Sequence, residues 1–127
     1  MSVVFKTVAH KNLQNLEAPA KHYAMVEPTG TTDIDVLAKI ISDSITASRA
    51  DVYLVLIGLV DAISQELEDG RSVHLGKLGS LSLSISSDGA DTATEVTAFS
   101  IKKARLIFRP GPEIRNLLKK LKFIKKS

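Results

Sequence analysis

The chain has 127 residues, 44% hydrophobic and 24% charged, with no cysteine. That is the length and composition of one modest globular domain, and it excludes disulfides and thiolate metal sites. The net charge is only +3 but unevenly spread: residues 101–127 hold ten Lys or Arg and one acid, Glu113, and the first hundred hold the other seven basic residues and thirteen acids. The C-terminal part therefore carries +9 and the rest −6, a split that suits a basic face for a polyanion. No apolar run behind a basic start marks the N-terminus as a signal peptide. The longest apolar stretch, VYLVLIGLV, is far too short to span a bilayer, so no membrane role is expected.

In chain order, Val3–Ala9 and Lys21–Glu27 alternate imperfectly and read as two short strands, joined by the polar HKNLQNLEAPA. Pro28 and Gly30 in EPTGTT then break the chain, so residues 1–30 form an N-terminal β extension. A first helix is expected from about Thr32. Thr31 or Thr32 caps it, Asp33 and Asp35 suit its positive end, and Ile34, Leu37, Ala38, Ile41 and Ile45 form its apolar stripe.

A second helix opens at Ser48 in SRAD, where Ser48 and Asp51 are spaced as a capping box, and stops at Gly70. Between Val52 and Ile63 its only charge is Asp61. Val52, Val55, Leu56, Leu59 and Ile63 cover one face, while Leu54, Ile57 and Val60 cover others. A helix apolar almost all round must be buried all round. One short helix beside it hardly suffices, so a homodimer centred on this helix is expected.

Ser72–Leu75 reads as a short strand, with Gly76 and Gly79 making a corner after it. Leu81, Leu83 and Ile85 then point one way, and Ser80, Ser82, Ser84 and Ser86 the other. SSDGADTATE is turn-like, and Ile101–Phe108 is the returning strand. On it Lys103, Arg105, Ile107 and Arg109 share one parity, and Lys102, Ala104, Leu106 and Phe108 the other. Pro112 and Glu113 suit the start of a last helix with the stripe Ile114, Leu117, Leu118 and Leu121.

This ordered set resembles the bacterial histone-like HU and integration host factor family, in an HU-related subgroup with an added N-terminal segment. SRADV, VHLGKLGSLSL and RLIFRPGPEIRNLL carry the resemblance, which covers about Thr31 to Phe123. It implies an α+β fold and an intertwined dimer: a two-helix base, an antiparallel sheet with a long β-arm, and a C-terminal helix. Residues 31–123 would then be the DNA-binding domain and 124–127 a basic tail. The implied partner is double-stranded DNA, gripped through the minor groove with little sequence preference, in the bacterial cytoplasm and nucleoid. The candidate contacts are Lys77, Ser80, Ser82, Ser84, Lys102, Lys103, Arg105, Arg109, Arg115 and Lys119. Phe108 joins Val52, Val55, Leu56, Leu59 and Ile63 at the expected dimer interface.

Same-face strand positions are about 6.6 Å apart, a scale similar to that of phosphates along one strand. Serine hydroxyls can donate to phosphate oxygens, although a serine-lined face is also the ordinary wet side of a sheet. The sequence departs from the family at the arm tip, where Asp91-Thr92-Ala93-Thr94-Glu95 stands in place of Arg-Asn-Pro. No proline is there to wedge between base steps, and the acids Asp88, Asp91 and Glu95 oppose phosphates. Three outcomes remain open: weak binding through the saddle and the basic C-terminal part, binding only with partner proteins, or an assembly module that has lost DNA.

Nothing in the sequence calls for catalysis, a cofactor or a small-molecule substrate. His10, His22 and His74 lack metal-ligand spacing. LGKLGS is neither a nucleophile elbow nor a phosphate-cradling loop. The few aromatics argue against a single-strand stacking platform.

Overall fold

A computed structural model describes the whole chain, residues 1–127. It forms two compact units, one of Met1–Asp33 with Leu118–Ser127 and one of Ile34–Leu117.

In the first unit β1 (Val3–His10) pairs antiparallel with β2 (Lys21–Val26), from Phe5 opposite Val26 to His10 opposite Lys21. Both hairpin strands lie within about a residue of their sequence positions. The last residues of the chain, expected as a basic tail, instead contribute a strand, which pairs parallel with β1 from Val3 opposite Phe123 to Phe5 opposite Lys125. Two backbone bonds extend the pairing, Val3 N–H to the Lys122 carbonyl and Lys126 N–H to the Phe5 carbonyl. Glu27 reinforces it, with one carboxylate oxygen 3.1 Å from Lys6 and the other 3.2 Å from Lys126. Hydrogen bonding to Lys6, then to Lys126, holds the Glu27 carboxyl below the ordinary glutamate range.

The second unit opens with α1 (Ile34–Ser42) and α2 (Arg49–Glu68). The first helix is shorter than its apolar stripe, and Ile45 falls beyond its end and is exposed. Ser48 caps α2, its Oγ accepting the Asp51 N–H at 3.1 Å. Arg49 grips Asp35 through its Nε and one terminal guanidinium nitrogen and ties the start of α2 to α1. Within α2, Val52 is buried and Leu56 and Ile63 are half-buried. Val55 and Leu54 are 70% and 67% exposed. Leu59 and Val60 are also exposed, so a single chain leaves most of this apolar helix bare.

The sheet of this unit runs β3 (Val73–His74), β4 (Gly79–Ser87), β5 (Ile101–Pro110), all antiparallel. β5 extends two residues past Phe108, so that Pro110 pairs with Gly79. Residues 88–100, between β4 and β5, hold two single 3-10 turns, at Ala93–Glu95 and Ala98–Ser100. The last helix, α3 (Pro112–Lys120), starts at the proline that the sequence indicates. The three-residue strand that follows it, Phe123–Lys125, is β6.

Only Ala38 and Val52 are buried among the hydrophobic residues. No helix is long and apolar enough to cross a membrane.

Candidate nucleic-acid interface

The register of the β4–β5 hairpin merges the two sequence patterns into one face. Ser80 lies opposite Arg109, Ser82 opposite Ile107, Ser84 opposite Arg105 and Ser86 opposite Lys103. His74 on β3 extends the first of these rows, since it pairs with Ser80. The other face holds Leu81 opposite Phe108, Leu83 opposite Leu106 and Ile85 opposite Ala104.

The serines are half-buried, while Leu83, Ile85, Leu106 and Phe108 are exposed. Within one chain, then, the greasy face of the hairpin is the bare one. Short serine side chains sit sheltered among longer cross-strand neighbours, and of the leucines only Leu81, beside Val73 of β3, is partly covered.

The corner that sets this register depends on glycine at two positions. Gly79 has φ +141°, and a Cβ there would lie 2.3 Å from the Arg109 carbonyl oxygen. A Cβ on Gly111 would lie 2.4 Å from the Lys77 carbonyl oxygen. Two hydrogen bonds close the corner, Leu75 N–H to the Gly79 carbonyl at 2.8 Å and Gly111 N–H to the Leu78 carbonyl at 2.9 Å. The start of α3 is thereby held against the glycine turn, and α3 presents Arg115 beside it. His74, Gly76, Gly79, Ser80, Arg109, Pro110, Gly111 and Arg115 line one open cavity of about 210 Å³.

The candidate cations divide by their partners. Lys102, next to the register shift at Ser86/Ser87, pairs with Asp88 at 2.7 Å. Lys77 approaches Glu113 at 3.9 Å. Lys103, Arg105, Arg109 and Arg115 are exposed and make no ion pair within the chain. Lys119 is exposed in the last turn of α3. The hairpin thus gathers Ser80, Ser82, Ser84, Lys103, Arg105 and Arg109 on one face, and the corner adds Arg115. Lys77 and Lys102 already have carboxylate neighbours. His74 was absent from the sequence candidates, yet the period-two pattern carries it: Val73 and Leu75 share one parity, and His74 takes the other.

Of the remaining histidines, His10 stacks at a tilt on Tyr23, ring centroids 5.6 Å apart, and His22 is exposed on β2. No three His, Asp or Glu side chains converge as a metal-binding group.

Two helices, the second capped by Ser48, a glycine-cornered three-stranded sheet with one basic face, and a proline-started C-terminal helix define an α+β domain of the HU type. Residues 1–125 match the family described as "HU domain fused to wHTH, Ig, or Glycine-rich motif", and the chain belongs to that family. The match takes in the N-terminal hairpin, which the sequence resemblance attached to an HU-related subgroup. Among solved structures the fold is similar to that of a "Putative bacterial DNA binding protein" from Bacteroides vulgatus ATCC 8482, with a TM-score of 0.65 and 14% identity. The superposition covers 98% of this chain and 49% of the other, so the chain spans about half the length of that relative. No curated protein matches the sequence.

Proposed function

We propose that the protein is a homodimeric architectural protein that grips the backbone of double-stranded DNA with little sequence preference, in the cytoplasmic nucleoid of a bacterium. The observation that carries this reading is the hairpin register, which aligns Ser80, Ser84 and Ser86 with Arg109, Arg105 and Lys103 on one face. Cations that no carboxylate of the chain satisfies are the groups a polyphosphate rewards, and the interleaved hydroxyls add neutral donors to phosphate oxygens. No base-reading side chain marks the face, so the contacts position the protein without specifying sequence. Lys119 adds to the contact set from the last turn of α3, and Lys77 and Lys102 join it when the duplex competes with Glu113 and Asp88 for them. The β4–β5 hairpin acts as the arm, and with Asp91–Glu95 lacking proline it holds the duplex without wedging base steps apart. The activity needs no metal, cofactor or small-molecule substrate.

The bare apolar faces support the dimer: Val55, Leu59 and Val60 on α2 and Leu83, Ile85, Leu106 and Phe108 on the hairpin are all exposed in the single chain, and obligate interfaces bury apolar surface of this kind. Val55 and Leu59 on α2, and Phe108 on the bare face of the hairpin, are the anchors of that interface, with Val52, Leu56 and Ile63 behind them.

The test is the double variant Arg105→Glu with Arg109→Glu. Duplex binding is lost while sedimentation still reports a dimer. Retained binding moves the contact surface elsewhere, to the Lys119–Lys126 region first. A second reading, a protein-assembly module on the same fold, is favoured by residues 88–100, which carry the acids Asp88, Asp91 and Glu95 and a Phe99 that is 98% exposed. Absence of duplex binding at low salt selects that reading.

A further inference from the structure

We propose that the cavity at the glycine corner is a discrete phosphate-binding site in which His74 makes binding depend on pH. This rests on the reading of the hairpin face as a nucleic-acid surface, and it adds a site and a control to that face. The cavity draws its polar groups from four elements: His74 from β3, Ser80 from β4, Arg109 from β5 and Arg115 from α3. Two guanidinium groups offer planar forks that match phosphate oxygens bidentately. The Ser80 hydroxyl adds a neutral donor and His74 an imidazole nitrogen. No carboxylate lines the cavity. The acid of the corner, Glu113, is directed to Lys77 at 3.9 Å.

The walls are set in advance. Gly79 and Gly111 approach the facing backbone so closely that neither tolerates a Cβ. Arg109 and Arg115 therefore hang on fixed backbone at either end of one tight corner. A backbone fixed this way leaves only the side chains to be ordered when an anion arrives.

Histidine is the side chain whose charge changes between about pH 5 and 8. The charged and polar groups facing His74 are Ser80, its register partner, and Arg109 and Arg115 across the cavity; Lys77 and Glu113 lie on the adjoining corner. A phosphate held between the arginines favours the imidazolium, so occupancy takes up a proton. By linkage, acid then tightens binding.

Histidine NMR titrations of the whole chain test this with three arms: free protein, protein with pyrophosphate, and protein with a random duplex of about 30 base pairs. The expected result is an upward move of the His74 titration with either ligand, while His10 and His22 stay unmoved. Duplex affinity by anisotropy rises several-fold from about pH 8 to about pH 5.5. His74→Gln removes that rise. His74→Lys, which fixes the charge, keeps tight binding at both values. If the duplex binds but His74 does not move, or if His74→Gln keeps the full pH response, the site is refuted and the basic-face reading stands. If pyrophosphate moves His74 but no duplex binds, the site takes free phosphate groups and the duplex reading falls. If neither ligand moves His74, the proposal is overturned.

Discussion

Replacing Val55 by Lys separates a self-sufficient chain from one that requires a second copy. Val55 is 70% exposed in the single chain, and neither α1 nor the sheet covers it. In a monomer the substitution exchanges one surface side chain for another and changes stability by no more than about 0.5 kcal/mol. In a two-fold dimer centred on α2 the same position occurs twice in the interface. Losing the burial of a valine costs about 1.5–3 kcal/mol at each occurrence. The dimer therefore loses about 3–6 kcal/mol, before counting the desolvation of two ammonium groups. That is two to four orders of magnitude in dissociation constant, at about 1.4 kcal/mol per tenfold. Sedimentation equilibrium over a range of concentrations measures it, with circular dichroism to follow the helices. Leu13→Lys is the control, since Leu13 is 87% exposed but lies outside α2. The expected outcome is dissociation, with partial loss of helix signal, for Val55→Lys and none for Leu13→Lys. A wild-type chain that sediments as a stable monomer, or a Val55→Lys variant indistinguishable from it, refutes the burial argument.

Gly79→Ala should cost roughly 2–4 kcal/mol, because it combines a positive φ with a Cβ driven into the Arg109 carbonyl; denaturant unfolding measures the loss, and an unchanged midpoint would mean the corner is soft. Acid should loosen β6 from β1. The Glu27 carboxyl is held below its ordinary value of 4.5 when folded, so its contribution is complete above the unfolded value and disappears as pH falls through the lower folded one. Amide shifts of Phe123–Lys125 followed from roughly pH 6 to 3 should titrate in the wild type and stay flat in Glu27→Gln, and equal titration in both would assign the change to another group.

The parts of the fold governed by local rules are legible in the sequence. Ser48 and Asp51 mark the start of α2 by capping chemistry, Gly76 and Gly79 mark the corner, and Pro112 marks α3. Period two alone sorts Ser80, Ser82 and Ser84 from Leu81, Leu83 and Ile85, and Arg105 and Arg109 from Leu106 and Phe108. What period two cannot supply is register, because a slip by one residue sends every side chain to the other face. Only the pairing of Ser80 with Arg109 puts serines and cations together and brings His74 to their edge. β6 was hidden for a different reason. Three residues, Phe123–Lys125, flanked by lysines carry no periodic signal, and their pairing with β1 and Glu27 spans nearly the whole sequence. Partners were equally invisible: Lys77 and Lys102 count as free cations in a sequence, and only the fold sets Glu113 and Asp88 beside them.

The most direct test of the basic face is the salt dependence of duplex binding, read by fluorescence anisotropy on a random duplex of about 30 base pairs. Lys103, Arg105, Arg109 and Arg115 give four unpaired cations per chain, or about eight in a dimer, and a slope of log affinity against log salt near −7. The affinity is then expected to fall about four orders of magnitude between about 50 and 200 mM salt. An affinity that stays flat over that interval, or no binding at the lowest salt, contradicts a face built to hold phosphates.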